Sequence, residues 1–239
     1  MKILTLNGQI KLLSGLHIGG GDDTMKIGGI DNQVIKDINS GNPYIPGSSL
    51  KGKMRSLLEW DIGVVNLNRD KKNIKVDDRG KEAGKPFGSH YIYDEDKSFL
   101  DAVFNDGNKL TQAKNLIKLF GDSYSKTDGT YGITRISVGD CKLIDVKEQK
   151  TSEAKYENVI DRKKGTAEHP RQIERVPAGV KFEYNFRLKI FDNDDEKALK
   201  DMVKKGLELI ENDYLGGSGS RGYGRVSFTN KADWKELKL

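Results

Sequence analysis

At 239 residues the chain is long enough to bury a full core, as one large domain or as a small domain carrying insertions. Lys and Arg number 41 against 36 Asp and Glu, and the sequence pI is about 9.0, a balance that suits a polyanionic partner but is weak alone. A single Cys, Cys141, excludes an internal disulfide and a Cys-based zinc site; with no membrane-length apolar run and no signal-peptide apolar region at the start, a cytoplasmic protein without a membrane partner is expected.

In chain order, residues 3–13 alternate, with Leu4, Leu6, Ile10 and Leu12 on one face and Thr5, Asn7, Gln9 and Lys11 on the other. That pattern predicts a strand with one buried and one wet face. A Gly-rich insertion at about 14–47 follows. Residues 49–60 place Leu50, Met54, Leu57 and Leu58 on one helical face. A polar insertion occupies about 63–98, and 131–146 reads as one strand or a bent pair. A third, charged insertion spans about 147–179. Residues 181–190 alternate cleanly through Phe182, Tyr184, Phe186, Leu188 and Ile190. A helical stripe of Ala198, Leu199, Met202, Val203, Gly206, Leu207 and Ile210 runs over 195–213, and a last strand is predicted at 225–230. This order matches an α+β, ferredoxin-like (RRM-like) βαββαβ core, one antiparallel sheet with two helices on one face. The three insertions are read as long loops, which in compact domains are functional or disordered.

The residues with chemistry lie in and between those loops. Residues 216–225 read Gly-Gly-Ser-Gly-Ser-Arg-Gly-Tyr-Gly-Arg, a crossing from helix to strand. Gly lets backbone approach a bulky partner, and Arg and Ser supply donors for phosphate oxygens. A flexible surface loop is the alternative reading. Ser48 or Ser49 is an N-cap candidate, and Lys51, Lys53 and Arg55 fill the first two turns of the helix. Cations at the positive end of a helix dipole cost stability, and they make sense if an anion binds there. A solvated face is the competing explanation. Two phosphate motifs are near misses. Gly47 to Met54 follows the P-loop pattern until Met54 stands where Ser or Thr must reach Mg²⁺. Gly217 to Gly222 has the spacing of a dinucleotide fingerprint but leads into a strand instead of a helix. Neither an NTPase nor a dehydrogenase is favoured.

Leu16-His-Ile-Gly-Gly20, Gly28-Gly-Ile-Asp31, Tyr44 through Arg55, Leu119-Phe-Gly121 and Gly217 through Arg225 occur in that order. Together they resemble the RAMP superfamily of CRISPR proteins, and within it the repeated backbone subunit of the type III-A (Csm) effector complex. The resemblance spans nearly the whole chain and implies a single RAMP domain over 1–239, with the 63–98 insertion lid-like and the 147–179 insertion thumb-like. It implies copies stacked in a helical filament along a CRISPR guide RNA, beside other subunits of the complex. His17, Ser48, Ser49, Lys51, Lys53, Arg55, Arg135, Gly217, Gly219, Ser220 and Arg221 would contact RNA. The thumb of one copy would kink the guide–target duplex at intervals and expose a target phosphodiester to Asp31.

Asp31 is then the catalytic and metal-binding residue of an endoribonuclease using a divalent ion, Mg or Mn. RNA cleaves itself once its 2′-OH is in line with phosphorus, so positioning supplies much of the rate. One carboxylate suffices if RNA supplies the other ligands. Asp22, Asp23 and Asp37 compete for the role, with turn chemistry as the plainer account of each. A purely architectural RNA-binding subunit is the alternative. A stand-alone RAMP endonuclease that processes precursor guide RNA is a weaker one.

Overall fold

The computed structural model describes residues 1–20, 32–65, 67–70, 73–76, 86–92, 104, 107–122, 131, 133–144 and 149–238. In chain order its elements are β1 (Lys2–Leu12), α1 (Gly47–Ile62), β2 (Leu67–Asp70), β3 (Asn73–Val76), α2 (Gly107–Phe120), β4 (Ile136–Val138), β5 (Lys142–Leu143), β6 (Glu153–Ile160), β7 (Ala167–Arg175), β8 (Lys181–Ile190), α3 (Glu196–Asn212), β9 (Val226–Phe228) and β10 (Trp234–Glu236).

The two cleanly alternating segments pair with each other. β1 and β8 run antiparallel, with Leu6 opposite Phe186 and Ile10 opposite Phe182. The apolar face of both strands is buried, and the polar face keeps Asn185 within hydrogen-bond reach of Thr5 at 3.3 Å. Gly8 sits opposite Tyr184, and a Cβ there would collide with the Tyr184 ring and hydroxyl. That hydroxyl instead donates to the Thr229 carbonyl at 2.5 Å. β4 and β5 pair with the outer edge of β8, while β9 and β10 pair with β1. The strand pairings of this sheet are antiparallel among the described residues, so the architecture is mixed α and β built on antiparallel sheets.

The helices bury their stripes against this sheet and each other. α1 buries Leu50, Met54, Leu58 and Ile62, and α3 buries Leu199, Met202, Val203, Gly206, Leu207 and Ile210. Gly206 lets α1 come close, since a Cβ there would run into Met54. Asp195 caps α3 by accepting from the Ala198 N–H at 2.9 Å. α2 adds Ala113, Leu116, Ile117, Leu119 and Phe120 to the same core.

Several expectations change in detail. The 131–146 segment is a bent pair, β4 and β5, broken at Gly139 and Asp140. The break places Asp140 where its carboxylate accepts the Gly47 N–H at 2.8 Å. The N-cap of α1 is therefore Pro46, with no side-chain cap of its own, and Ser48 and Ser49 lie inside the first turn. The 147–179 insertion is not a structureless loop. β6 and β7 form a two-stranded hairpin whose turn is closed by Asp161 accepting from the N–H groups of Lys163 (2.7 Å) and Lys164 (3.1 Å). The described part of 63–98 includes a second hairpin, β2 with β3. α2 and β10 had no counterpart in the sequence reading.

Cys141 is fully buried on the Ile45 backbone, and burial followed by the nearby Asp140 pushes its thiol up to about 12. A thiolate is the reacting species, so Cys141 should resist a thiol-specific reagent until the chain unfolds. Rapid labelling of folded protein would contradict this packing.

Candidate nucleic-acid interface

The site grows from the end of β1. Residues 13–17 run between the Gly-rich loop on one side and the base of β7 on the other. Leu13 N–H donates to the Arg225 carbonyl at 2.7 Å, Gly224 N–H to Gly15 at 2.8 Å, and Gly217 N–H to His17 at 2.9 Å. Across the other edge, Leu16 and Val176 exchange backbone bonds of 2.9 and 2.8 Å. The loop's glycines serve this packing first. Gly216 and Gly224 have φ of 77° and 74°, and a Cβ on Gly224 would collide with the Leu215 carbonyl. Gly219 lies against the Tyr214 ring, leaving no room for a side chain. Gly217 and Ser220 are exposed.

His17 is half-buried, and its Nδ1 lies 2.7 Å from the Glu174 carbonyl. A carbonyl only accepts, so Nδ1 carries the proton, and Nε2 is left to accept when the ring is neutral or to donate when it is charged. Lys53 bridges to the Gly-rich loop. Its ammonium is 2.7 Å from Asp213 and 3.7 Å from the centre of the Tyr214 ring, whose other neighbour is Gly219. The start of α1, the Gly-rich loop and His17 thus form one connected surface.

Lys51 differs from its neighbours. It is half-buried, with no anionic partner and no hydrogen bond among the described residues. Burial, and after it Arg55, depresses its pKa. A desolvated cation without an anion is a ready phosphate contact. Arg55 is already committed. Its guanidinium bonds Glu59 at 2.8 Å, the Phe87 carbonyl at 2.7 Å and the Gly121 carbonyl at 3.4 Å, stapling α1 to two other segments.

Arg135 is only 7% exposed, forks onto the Asp194 carboxylate at 3.2 and 3.3 Å, donates to the Ile133 carbonyl at 2.6 Å and stacks on Phe191. It is a packing residue of the sheet–helix junction, away from the connected surface. Arg221 is exposed and pairs with Glu157 of β6 at 2.7 Å, linking the loop to the hairpin. Burial acts to raise the Glu157 pKa, and the Tyr223 hydroxyl and Arg221 together reverse it, so its carboxyl sits below its usual range. Tyr223 in turn lies under Lys155 (4.6 Å) and Arg175 (5.3 Å).

Asp31, Asp22 and Asp23 lie outside the described residues. Asp37 is a turn residue: its carboxylate accepts from the Asn39 and Ser40 N–H groups at 3.2 and 2.8 Å and from the Ser40 hydroxyl at 2.9 Å. Among the described residues no three His, Cys, Asp or Glu side chains gather as a metal site. No helix among them is long and apolar enough to cross a membrane. Sequence reasoning passed over Tyr214, Glu157, Tyr223 and Glu174, because each acts through a partner distant in the chain.

A family model described as the RAMP superfamily matches residues 9–227. The chain belongs to the RAMP superfamily. A relative from Enterococcus italicus, a CRISPR system Cms endoribonuclease Csm3, is 34% identical over 92% of this chain and 87% of its own. One of the same name from Methanocaldococcus jannaschii is 38% identical over 93% of this chain and 77% of its own. Among solved structures, a Csm3–Csm4 subcomplex of the type III-A CRISPR-Cas interference complex aligns with a TM-score of 0.50 and 25% identity, over 99% of this chain and 88% of the other. Within the RAMP superfamily, then, the similarity runs through nearly the whole length on both sides.

Proposed function

We propose that this chain is a guide-RNA-binding backbone subunit of a type III-A CRISPR effector complex and that, within the complex, it cuts guide-paired target RNA at regular intervals. The observation that carries the activity is the near full-length similarity to CRISPR endoribonucleases. The connected surface of His17, the start of α1 and the Gly-rich loop supports the RNA contact, because it offers the exposed Gly217 and Ser220 and a Lys51 with no anionic partner among the described residues. Ser48, Ser49, Lys53, Gly217, Gly219, Ser220 and Arg221 belong to this interface, with Arg221 free to leave Glu157 for a phosphate. Arg55 shapes it from behind, and Arg135 is left out.

We read the core as ferredoxin-like. The sheet order β9/β10, β1, β8, β4/β5, with α1 after β1 and α3 after β8, supports that description. The β6–β7 hairpin is the thumb. Further copies of this chain stack beside it along the guide in a filament, and the thumb of one copy reaches the next. Asp31 supplies the carboxylate at the scissile phosphate and would hold a divalent ion, Mg or Mn, together with RNA oxygens. Such an ion neutralises charge on the phosphate. The protein holds the RNA through phosphate contacts and keeps the bent strand in line for its own 2′-OH. The complex works in the cytoplasm.

Reconstitution with guide RNA and labelled target RNA tests the proposal. Evenly spaced products are expected; intact target in a fully assembled complex would leave an architectural subunit. The binding surface has its own test. Lys51→Ala should weaken RNA affinity without lowering the unfolding temperature. It should also reduce the magnitude of the log K against log[salt] slope by about 0.7, the value for one lost contact to single-stranded RNA. An unchanged slope would remove Lys51 from the interface.

A further inference from the structure

Glu174 of β7 is a buried acid, 3% exposed, in a strand whose other charged residues are half-buried or exposed. Every polar group it has is used, and by segments far from it in sequence. Its N–H donates to the Asn32 carbonyl at 2.9 Å, and its carbonyl accepts from His17 Nδ1 at 2.7 Å. Its carboxylate accepts from the Val34 N–H at 3.0 Å, from the Lys36 ammonium at 2.6 Å and from the Ser152 hydroxyl at 2.5 Å. Burial acts to raise its pKa, but Lys36, Ser152 and the Val34 N–H outweigh burial and hold the carboxyl below its usual range.

These bonds converge on one place. Gly20 N–H donates to Gln33 at 3.3 Å and Ile35 N–H to Ile18 at 2.8 Å, so the chain on either side of residues 21–31 is tied together. Asn32 also bridges Ile173 in parallel. The main chain of one β7 residue therefore holds the Asn32 carbonyl and fixes the tautomer of His17, while its carboxylate ties Val34 and Lys36 to Ser152 just ahead of β6. An apolar side chain would fill the space without the desolvation cost of a buried ion pair, which contributes little net stability. What the charged group adds is fixed geometry.

We propose that Glu174 is a positioning residue for target cleavage: its carboxylate holds Val34 and Lys36, in the segment that leads on from Asp31, against Ser152 at the base of the β6–β7 hairpin. The inference rests on the endoribonuclease reading above. Catalytic groups displaced by about 1 Å can lose on the order of 10²-fold in rate, so a loosened anchor is felt in the chemical step before it is felt in binding.

The experiment uses reconstituted complexes carrying Glu174→Ala, Glu174→Gln, Lys36→Met or Asp31→Asn, each assayed for target affinity and single-turnover cleavage. Glu174→Ala should cut about 10- to 100-fold more slowly with target Kd within about twofold of wild type. Glu174→Gln keeps an acceptor for the Val34 N–H and should recover most of the rate. Lys36→Met removes the ion pair from its half-exposed end and should slow cutting by a smaller factor at unchanged Kd. Wild-type cutting by Glu174→Ala beside a dead Asp31→Asn complex overturns the positioning role alone. Full cutting by Asp31→Asn overturns the catalytic reading instead. If Glu174→Ala fails to assemble, Lys36→Met decides. Slower cutting at normal Kd supports positioning, and a wild-type rate means that Glu174 serves only the fold.

Discussion

A complex carrying Asp31→Asn should bind guide and target RNA as wild type does and leave the target uncut. The expectation follows from a division of labour. In the proposed interface RNA is held by phosphate contacts spread over His17, the start of α1 and the Gly-rich loop, each of which has its own anchors among the described residues. His17 is oriented by Glu174, Lys53 by Asp213 and Tyr214, and the Gly-rich loop by residues 13–17. In the proposed reaction the Asp31 carboxylate acts only at the scissile phosphate. Asn keeps its shape and loses its charge, and a lost anion beside a polyanion favours binding if it changes it at all. Groups that act on a proton or on developing charge contribute about 10²–10⁴-fold, so the cleavage rate should fall by that order. Chelation of divalent ions should stop cutting in the same way. The check is single-turnover cleavage of labelled target beside a binding titration. Undiminished cutting would return the chain to an architectural role. Loss of assembly with cutting would make Asp31 structural.

Elements whose burial is written in a local period were legible before the structure. β8 alternates five apolar side chains over ten residues, and α3 carries an unbroken stripe, so neither needs a distant partner to be recognised. α2 has the helical spacing too, through Ala113, Leu116, Ile117 and Phe120, but it follows a long polar stretch and was passed over. β10 contributes only Trp234 to the core, too little apolar pattern for a strand to be read. The break between β4 and β5 could not be foreseen, because Asp140 turns away from the sheet to serve the first N–H of α1, 93 residues earlier.

The same limit governs the site. Local sequence locates cations but does not give their partners. Lys51, Lys53 and Arg55 look alike in sequence, yet the first has no anion among the described residues, the second holds the Gly-rich loop and the third staples α1 to Phe87 and Gly121. Glu174 looks like one more charge in a charged segment, and its partners lie up to 157 residues away. Motif order, by contrast, depends on no single contact, which is why the family could be read from five weak segments.

Arg135→Ala should destabilise the protein strongly and leave the RNA contact of the folded fraction unchanged. The Arg135 and Asp194 side chains are 8% and 1% exposed, and the guanidinium forks onto both carboxylate oxygens. Removing one partner of such a pair leaves a buried charge and costs about 3–5 kcal/mol. For a domain of this size that lowers Tm by roughly 6–20 °C. Asp194 keeps Lys118 at 3.4 Å and the Phe191 N–H at 3.1 Å, which places the loss at the lower end. The pH dependence identifies the cause. Burial acts to raise the Asp194 pKa, but Arg135, the Phe191 N–H and Lys118 lower it overall. A carboxyl depressed on folding stabilises the native state above its unfolded pKa of about 3.9, and that contribution is lost as pH falls through the folded value. The gap in stability between wild type and Arg135→Ala should therefore be widest near neutral pH and narrow below about pH 4. Denaturant unfolding at several pH values measures it. An RNA-contacting Arg135 predicts the opposite pattern: unchanged unfolding, weaker RNA affinity and a shallower salt slope, set beside Lys51→Ala under the same conditions.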